Sequence, residues 1–386
     1  MVGRDPDEGA RFPSPLELFF DLTFVVAVAF VATELHHALS EGHVGQALAG
    51  YGMVFFGIWW AWANFSWFAS AYDTDDVPYR VLTLVQMSGV LVLAAGIPAA
   101  FAHFDFTTAA IGYVIMRLAM AAQWLRAGVE HPAGRAGALR YAAGTTLVQA
   151  GWIGWLWLPG VAVWIGFAVL VAAEVVVHTW AELSGRLHAP FHPGHLAHRF
   201  GHFTIICLGE VILATATAVR SALATGGSSA GLLITAVAAM LLVFSLWWSY
   251  FRHSAADKWA APLLWGYGHY LIFAALAALG AGLQVAVDTT RHTSHVSPVF
   301  AAFTVAIPVA VFLIVVGTLN SYLDRRQPRR LRRTELTLTL AVPVLVLLSA
   351  LTTHALPLPL TVLIMAVLVT LMLAYYLTAA RRVTPR

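Results

Sequence analysis

Residues 299–321 read VFAAFTVAIPVAVFLIVVGTLNS, and residues 325–333 read RRQPRRLRR. The first stretch carries no charge and, wound as a helix at ~1.5 Å per residue, is long enough to cross the ~30 Å hydrocarbon layer of a bilayer. The second sets six arginines at its end. An apolar run stopped by a basic cluster is the pattern of a transmembrane helix that ends in the cytoplasm. The same alternation runs along the whole chain of 386 residues, which is 60% hydrophobic and only 11% charged, against about 25% charged for a soluble domain. Water is thereby excluded as the main solvent, and the fold class is an all-α polytopic membrane protein.

Working outward from this stretch, hydropathy punctuated by Pro, Gly and charge predicts about twelve transmembrane helices. They fall near 16–38, 46–71, 81–103, 106–127, 139–158, 161–183, 200–220, 230–251, 263–286, 299–321, 335–354 and 357–379. With the N-terminus inside, the cytoplasmic segments collect nineteen of the 22 basic residues; only Arg220 and Arg291 fall outside, and Arg117 lies within the fourth helix. Both termini are therefore expected in the cytoplasm, in a multi-pass protein of the inner membrane. The polar start MVGRDPDEGARFPSP and the acids Glu17 and Asp21 in the first apolar run do not read as a signal peptide. A lone cysteine, Cys207, excludes an intrachain disulfide framework. The excess of arginine serves topology, with no nucleic-acid partner implied.

Two echoes divide the chain. Asp21 in FFDLTFVVAVA matches Glu210 in CLGEVILATA, and Trp59-Trp60 matches Trp247-Trp248, both at an offset near 188 residues. Six helices separate the copies, so the echo predicts a parallel six-plus-six repeat. The expected organisation is a cytoplasmic tail over 1–15, a first transmembrane half over 16–190, a second over 191–380 and a short cytoplasmic tail over 381–386.

Read in order, the motifs SPLELFFDLTFVVAVAF, WWAWANFSWFASAYDTDDVPYR, GYVIMRLAMA, HLAHRFGHFTIICLGEVI and LWWSYF resemble those of the bacterial low temperature requirement protein A family. They spread over roughly residues 14 to 252. The resemblance implies a multi-spanning membrane protein linked by name to growth in the cold and to stress response, without a settled molecular activity. One departure stands out: where the family usually has Glu-Arg before the seventh helix, this chain has His198-Arg199.

Ionisable side chains in hydrocarbon cost roughly 2.5 to 3.5 kcal/mol each, so they are paired, inward-facing or functional. Asp21, Arg117, Glu174, His178 and Glu210 all fall within predicted helices, at a similar depth in the cytoplasmic half. The expectation is that Arg117 bridges Asp21 and Glu210, and that Glu174 and His178, four residues apart on one helix face, relay a proton. The alternative for the same residues is a buried ion-pair network that fixes helix packing.

Asp73-Thr74-Asp75-Asp76 has the DxDD form, in which a protonated middle acid of class II terpene cyclases donates its proton to an alkene. Trp59, Trp60, Trp62 and Trp67 stand nearby as carbocation stabilisers. Against this stands a solvated acidic turn before Pro78, answered by Arg80. His188, His192, His195, His198 and His202 cluster before the seventh helix, but without interleaved Cys or Asp they read as a hydrated loop, and no metal is assigned. The basic loop Arg325–Arg333 suits anionic lipid headgroups and equally a topological anchor. No phosphate-binding loop, dinucleotide fingerprint or serine elbow occurs, and no cofactor is assigned.

The leading expectation is a proton-coupled secondary transporter or permease of a small solute, using Asp21, Arg117, Glu174, His178, Glu210 and Arg80. The rival is a membrane-embedded enzyme on an isoprenoid or lipid, such as a class II terpene cyclase with Asp73, Asp75 and Asp76 as its acids. Expected partners are membrane lipids and the small-molecule or lipid substrate, and a homo-oligomer is compatible with the sequence.

Overall fold

In a computed structural model, twelve α-helices appear among the described residues. They are α1 (Pro15–Ser40), α2 (Val44–Tyr72), α3 (Val77–His103), α4 (Thr107–Glu130), α5 (Arg135–Trp155), α6 (Val161–Leu183), α7 (Pro193–Ala224), α8 (Ala230–Phe251), α9 (Pro262–Thr290), α10 (Pro298–Leu323), α11 (Arg329–Ser349) and α12 (Leu358–Arg381). The structure describes residues 1, 3–5, 9, 11–183, 191–224, 230–252, 262–323 and 329–381. Arg186, His188, Lys258, Arg325, Arg326 and the final five residues of the expected C-terminal tail lie outside the described residues.

Ten of these helices are long and apolar enough to cross a membrane. Of the about twelve spans expected, ten are matched by this set, and α2 and α5 fall outside it. Length is not the reason for α2, which has 29 residues. Its tryptophans, Asn64 and serines lower its apolarity, and most of its side chains are buried in protein. α5 opens on arginine and carries Thr145, Thr146 and Gln149.

The helices divide into two compact units, the first comprising residues 1–31 and 48–199, the second residues 32–47 and 200–386. In the first unit α2 is the axis. Its rings and polar groups meet α1 (Phe20 on Phe65), α4 (Phe68 on Trp124) and α6 (Trp60 on Glu174). The C-terminal carbonyls of α2, which lack helical partners, are satisfied by Arg11, whose guanidinium donates to Ser70 O (2.8 Å) and Ala69 O (3.0 Å).

α1 begins in a reciprocal capping box: Ser14 Oγ accepts from the Glu17 backbone N–H, and Glu17 Oε2 accepts from Ser14 N–H at 2.7 Å. α3 begins on Asp76, whose carboxylate accepts from Tyr79 N–H at 3.0 Å, with Pro78 in the first turn. α3 and α4 touch backbone to backbone. A Cβ added at Gly112 would overlap the Leu93 backbone nitrogen, and one at Gly96 the Ala109 nitrogen. Small residues give such close approach in membranes, where helix association depends on packing.

The second unit pairs α9 with α10 and α8 with α12, and α11 lies against α10 and α12. His269 is fully buried: its Nδ1 donates to Trp265 O at 2.6 Å and its Nε2 accepts from the Tyr250 hydroxyl at 2.7 Å. Arg252 pairs with Glu335 at 2.7 Å and lies 4.2 Å from the Tyr376 ring centre. The tryptophans matched by the sequence echo sit in unlike surroundings, since Trp59 and Trp60 are buried while Trp247 and Trp248 are 44% and 48% exposed.

Candidate functional site

The first unit holds two buried polar clusters. One joins the starts of α1 and α7. On α1, Glu17 and Asp21 lie four residues apart and so share a face; on α7, His195 and Arg199 do the same. The two faces meet. Arg199 Nη2 reaches Asp21 Oδ1 at 2.7 Å, Arg199 Nη1 lies 3.2 Å from Glu17 Oε1, and His195 Nε2 lies 3.0 Å from the same oxygen. Trp62 Nε1 donates to Asp21 Oδ1 at 2.7 Å, and the guanidinium stands over the rings of Trp62 and Phe65. All four charged or titratable groups are 0–1% exposed.

Two carboxylates face one arginine and one imidazole. Their formal charge is therefore −1 with His195 neutral and zero with His195 protonated. A buried site whose neutrality depends on one proton is chemically suited to hold or release it.

The second cluster centres on Glu174 of α6. Five donors from α2, α4 and α5 converge on its two oxygens: Tyr113 Oη (2.7 Å), Gln149 Nε2 (3.3 Å) and Trp152 Nε1 (3.3 Å) on Oε1, with Trp60 Nε1 (3.0 Å) and Arg117 Nη2 (2.7 Å) on Oε2. Every polar contact to this carboxylate is a donor, the arrangement that hydrogen-bonds a buried ion fully. It ties four helices together around one charge pair.

Several expectations are corrected here. Arg117 does not bridge Asp21 and Glu210, because Glu174 on the neighbouring helix is within its reach and Asp21 is taken by Arg199. Glu174 and His178 do not relay through their side chains, since His178 Nδ1 donates to the backbone oxygen of Glu174 at 2.8 Å and Nε2 meets the Asn64 amide. Glu210 belongs to the second unit, where it is 7% exposed and has no ion pair among the described residues.

The DTDD aspartates do not converge on a common point. Asp73 pairs with Arg11 at 3.2 Å, and burial pushes its carboxyl above the usual range, aided by nearby Glu17. Asp75, the middle acid, is about half exposed with positive φ; the Arg80 guanidinium grips both its oxygens at 2.8 Å and holds its carboxyl below the usual range. Asp76 caps α3, and its hydrogen bonds from Arg126 lower its carboxyl to about 2. A cyclase acid must be protonated in an apolar cavity, whereas Asp75 is an exposed, ion-paired carboxylate. Trp60 and Trp62, expected beside it, point their N–H groups at Glu174 and Asp21 instead.

The histidines also separate. His192 Nδ1 accepts from His195 N–H at 3.0 Å and so caps α7, His195 joins Glu17, and the His198 ring lies tilted against Phe12. Among the described residues no three His, Cys, Asp or Glu side chains gather as a metal site. Sequence reasoning missed Glu17, His195 and Arg199 as site residues, though the two i, i+4 spacings could have exposed them. It missed Tyr113, Gln149 and Trp152, although Tyr113 stands four residues from Arg117 and Gln149 three from Trp152, spacings that set each pair on one helix face.

The comparisons with known proteins accord with these motifs. The model of the bacterial low temperature requirement A protein (LtrA) matches residues 13–375. An uncharacterised protein of Rhizobium meliloti (strain 1021) is 32% identical over 279 residues, covering 67% of this chain and 65% of its own length. The matched chain thus spans a little under two thirds of that relative. No solved structure matches. With a family match running from the capping box of α1 to the last turns of α12, this multi-pass membrane protein belongs to the bacterial low temperature requirement A family.

Proposed function

We propose that this protein is a proton-coupled permease for a small solute, with the proton carried by the Glu17–His195–Arg199–Asp21 cluster. The observation that supports it is the charge count of that cluster: two acids, one arginine and one imidazole, all buried within membrane-crossing helices. Ionisable groups kept in hydrocarbon at a cost of several kcal/mol commonly mark ion and proton pathways. Glu210, an acid within α7 with no ion pair among the described residues, is a second proton-binding candidate in the other unit. Arg117 and Glu174 hold the helices in register around the pathway.

In this reading both termini are cytoplasmic, as the arginine distribution favours, and α2 and α5 span the membrane as protein-buried helices. A six-plus-six duplication with halves at 16–190 and 191–380 would add a route to alternating access, but the proton site carries the proposal without it. No arrangement of Asp73, Asp75 and Asp76 favours the cyclase alternative.

The test uses proteoliposomes loaded with a pH-sensitive dye and challenged with a panel of amino acids, sugars, organic acids and amines. Solute-dependent proton entry is expected with the natural protein and should vanish in Asp21→Asn and Glu17→Gln. Folded protein that moves no protons with any solute, or an Asp21→Asn variant that couples as well as the natural chain, would refute the proposal.

A further inference from the structure

A cavity of about 50 Å³ lies in the first unit among α2, α3, α4, α5 and α6. Its walls are mostly rings: Phe56, Phe106, Tyr113, Trp152, Trp155 and Phe167. The space is several times the ~10–15 Å³ that one water needs. Yet the polar ends of these rings are turned away from it. The Tyr113 hydroxyl and Trp152 N–H donate to Glu174, and Trp155 N–H donates to Val163 O at 2.8 Å. An occupant therefore meets ring faces and aliphatic carbon, with no hydrogen-bond partner to offer water or a polar solute. Apolar cavities of this kind stay dry and take apolar guests.

The surroundings supply such a guest. Ala110 of α4 and Phe167 of α6 are partly exposed, so the cavity opens at the unit's surface. α6 is the least buried of the membrane-crossing helices, with 17% of its apolar window covered by protein. In a bilayer the remainder of that surface faces acyl chains.

We infer that this aromatic cavity is a binding site for a hydrocarbon segment of a membrane lipid's acyl chain, seated between the α4 and α6 faces. The site is independent of the proton cluster and of the permease proposal. Its occupant packs against the Tyr113 and Trp152 rings, whose other ends hold Glu174, and so braces the donors of that carboxylate.

The experiment places the full-length protein in nanodiscs containing phosphatidylcholine with a diazirine midway along one acyl chain. After irradiation, adducts are mapped by mass spectrometry. Labelling is expected to concentrate on Ala110, Phe167 and Met53 over Leu147 and Val169, which are 73% and 60% exposed but do not line the cavity. Ala110→Phe fills the cavity and should lower that labelling about tenfold, corresponding to ~1.4 kcal/mol. Gly57→Ala is a gentler plug: its Cβ would stand 3.5 Å from the Tyr113 ring, an ordinary contact, so this variant keeps the test usable if the larger one fails to fold. A smaller decrease is expected from it at an unchanged melting temperature.

A headgroup-free alkyl diazirine forms the second arm. Cavity labelling by this probe alone would overturn the lipid assignment in favour of a free hydrophobe. Labelling equal to that at Leu147 and Val169, or unaltered in both folded variants, would overturn the site itself.

Discussion

Changing Glu174 to glutamine removes one charge and, with it, one acceptor oxygen. All five contacts to this side chain are donors, three on Oε1 and two on Oε2. Whichever way the new amide turns, its NH2 faces N–H or O–H groups. Arg117, 1% exposed, simultaneously loses its anionic partner. Removing one member of a buried ion pair costs about 3–5 kcal/mol. For a unit of this size, at ~2–4 °C per kcal/mol, the melting temperature should fall by roughly 6–20 °C.

The assay is thermal unfolding in detergent, followed by tryptophan fluorescence, with Glu174→Gln, Arg117→Met and the double variant measured together. The double variant leaves no uncompensated charge. It should recover part of the loss, with a coupling energy on the order of 1.5–3 kcal/mol. A shift below ~2 °C for Glu174→Gln, or a double variant no better than the worse single one, would refute the structural role assigned to this pair.

The acidic turn offers a contrast between neighbours. Asp75→Ala removes a surface ion pair and should change stability by less than about 1 kcal/mol, whereas Asp76→Ala removes the α3 cap and should cost about 1–2 kcal/mol; equal effects in thermal shift would contradict the assigned roles. Because the Asp76 carboxyl falls to about 2 from an ordinary 3.8, its contribution is present above pH ~4 and lost as pH falls toward 2, so Asp76→Asn should flatten the stability profile over that window. Asp73 has the opposite sign: burial raises its carboxyl, so the folded state binds its proton first, and Asp73→Asn should raise melting temperature at pH 7. Gly112→Val places a branched side chain against the Leu93 backbone and should abolish the folded, monodisperse protein in size-exclusion chromatography.

Much of this architecture was legible from hydropathy, since runs such as 299–321 stay apolar and uncharged over the width of a bilayer and the arginines mark their ends. The two helices outside the apolar set, α2 and α5, fall there for a physical reason. α2 spends Trp60, Trp62 and Asn64 on buried partners, and a scale that scores side chains by transfer from water cannot see that those polar groups are already satisfied. Asp21, Arg117 and Glu174 are all buried, but their depth along the helices says nothing about azimuth. Pairing Arg117 with Glu174 rather than with Asp21 and Glu210 requires knowing which faces meet. The Glu17/Asp21 and His195/Arg199 spacings did hold that information, because each pair must share a helix face. Arg199, a basic residue near a predicted helix boundary, is sufficiently explained by topology when the sequence is read alone.

The ion pair between Arg199 and Asp21 closes a sequence gap of 178 residues. Translation makes ~5–20 residues per second, so α1 leaves the ribosome about 10–35 s before its counter-charge exists. During that interval Glu17 and Asp21 stand in or beside the lipid without Arg199 and His195, and the apolar remainder of α1 alone must outweigh them for the helix to enter. The first helix is thus a provisional tenant of the bilayer, secured only when α7 arrives. A chain that stalls or is truncated before residue 199 leaves Glu17 and Asp21 on its first helix without the Arg199 counter-charge.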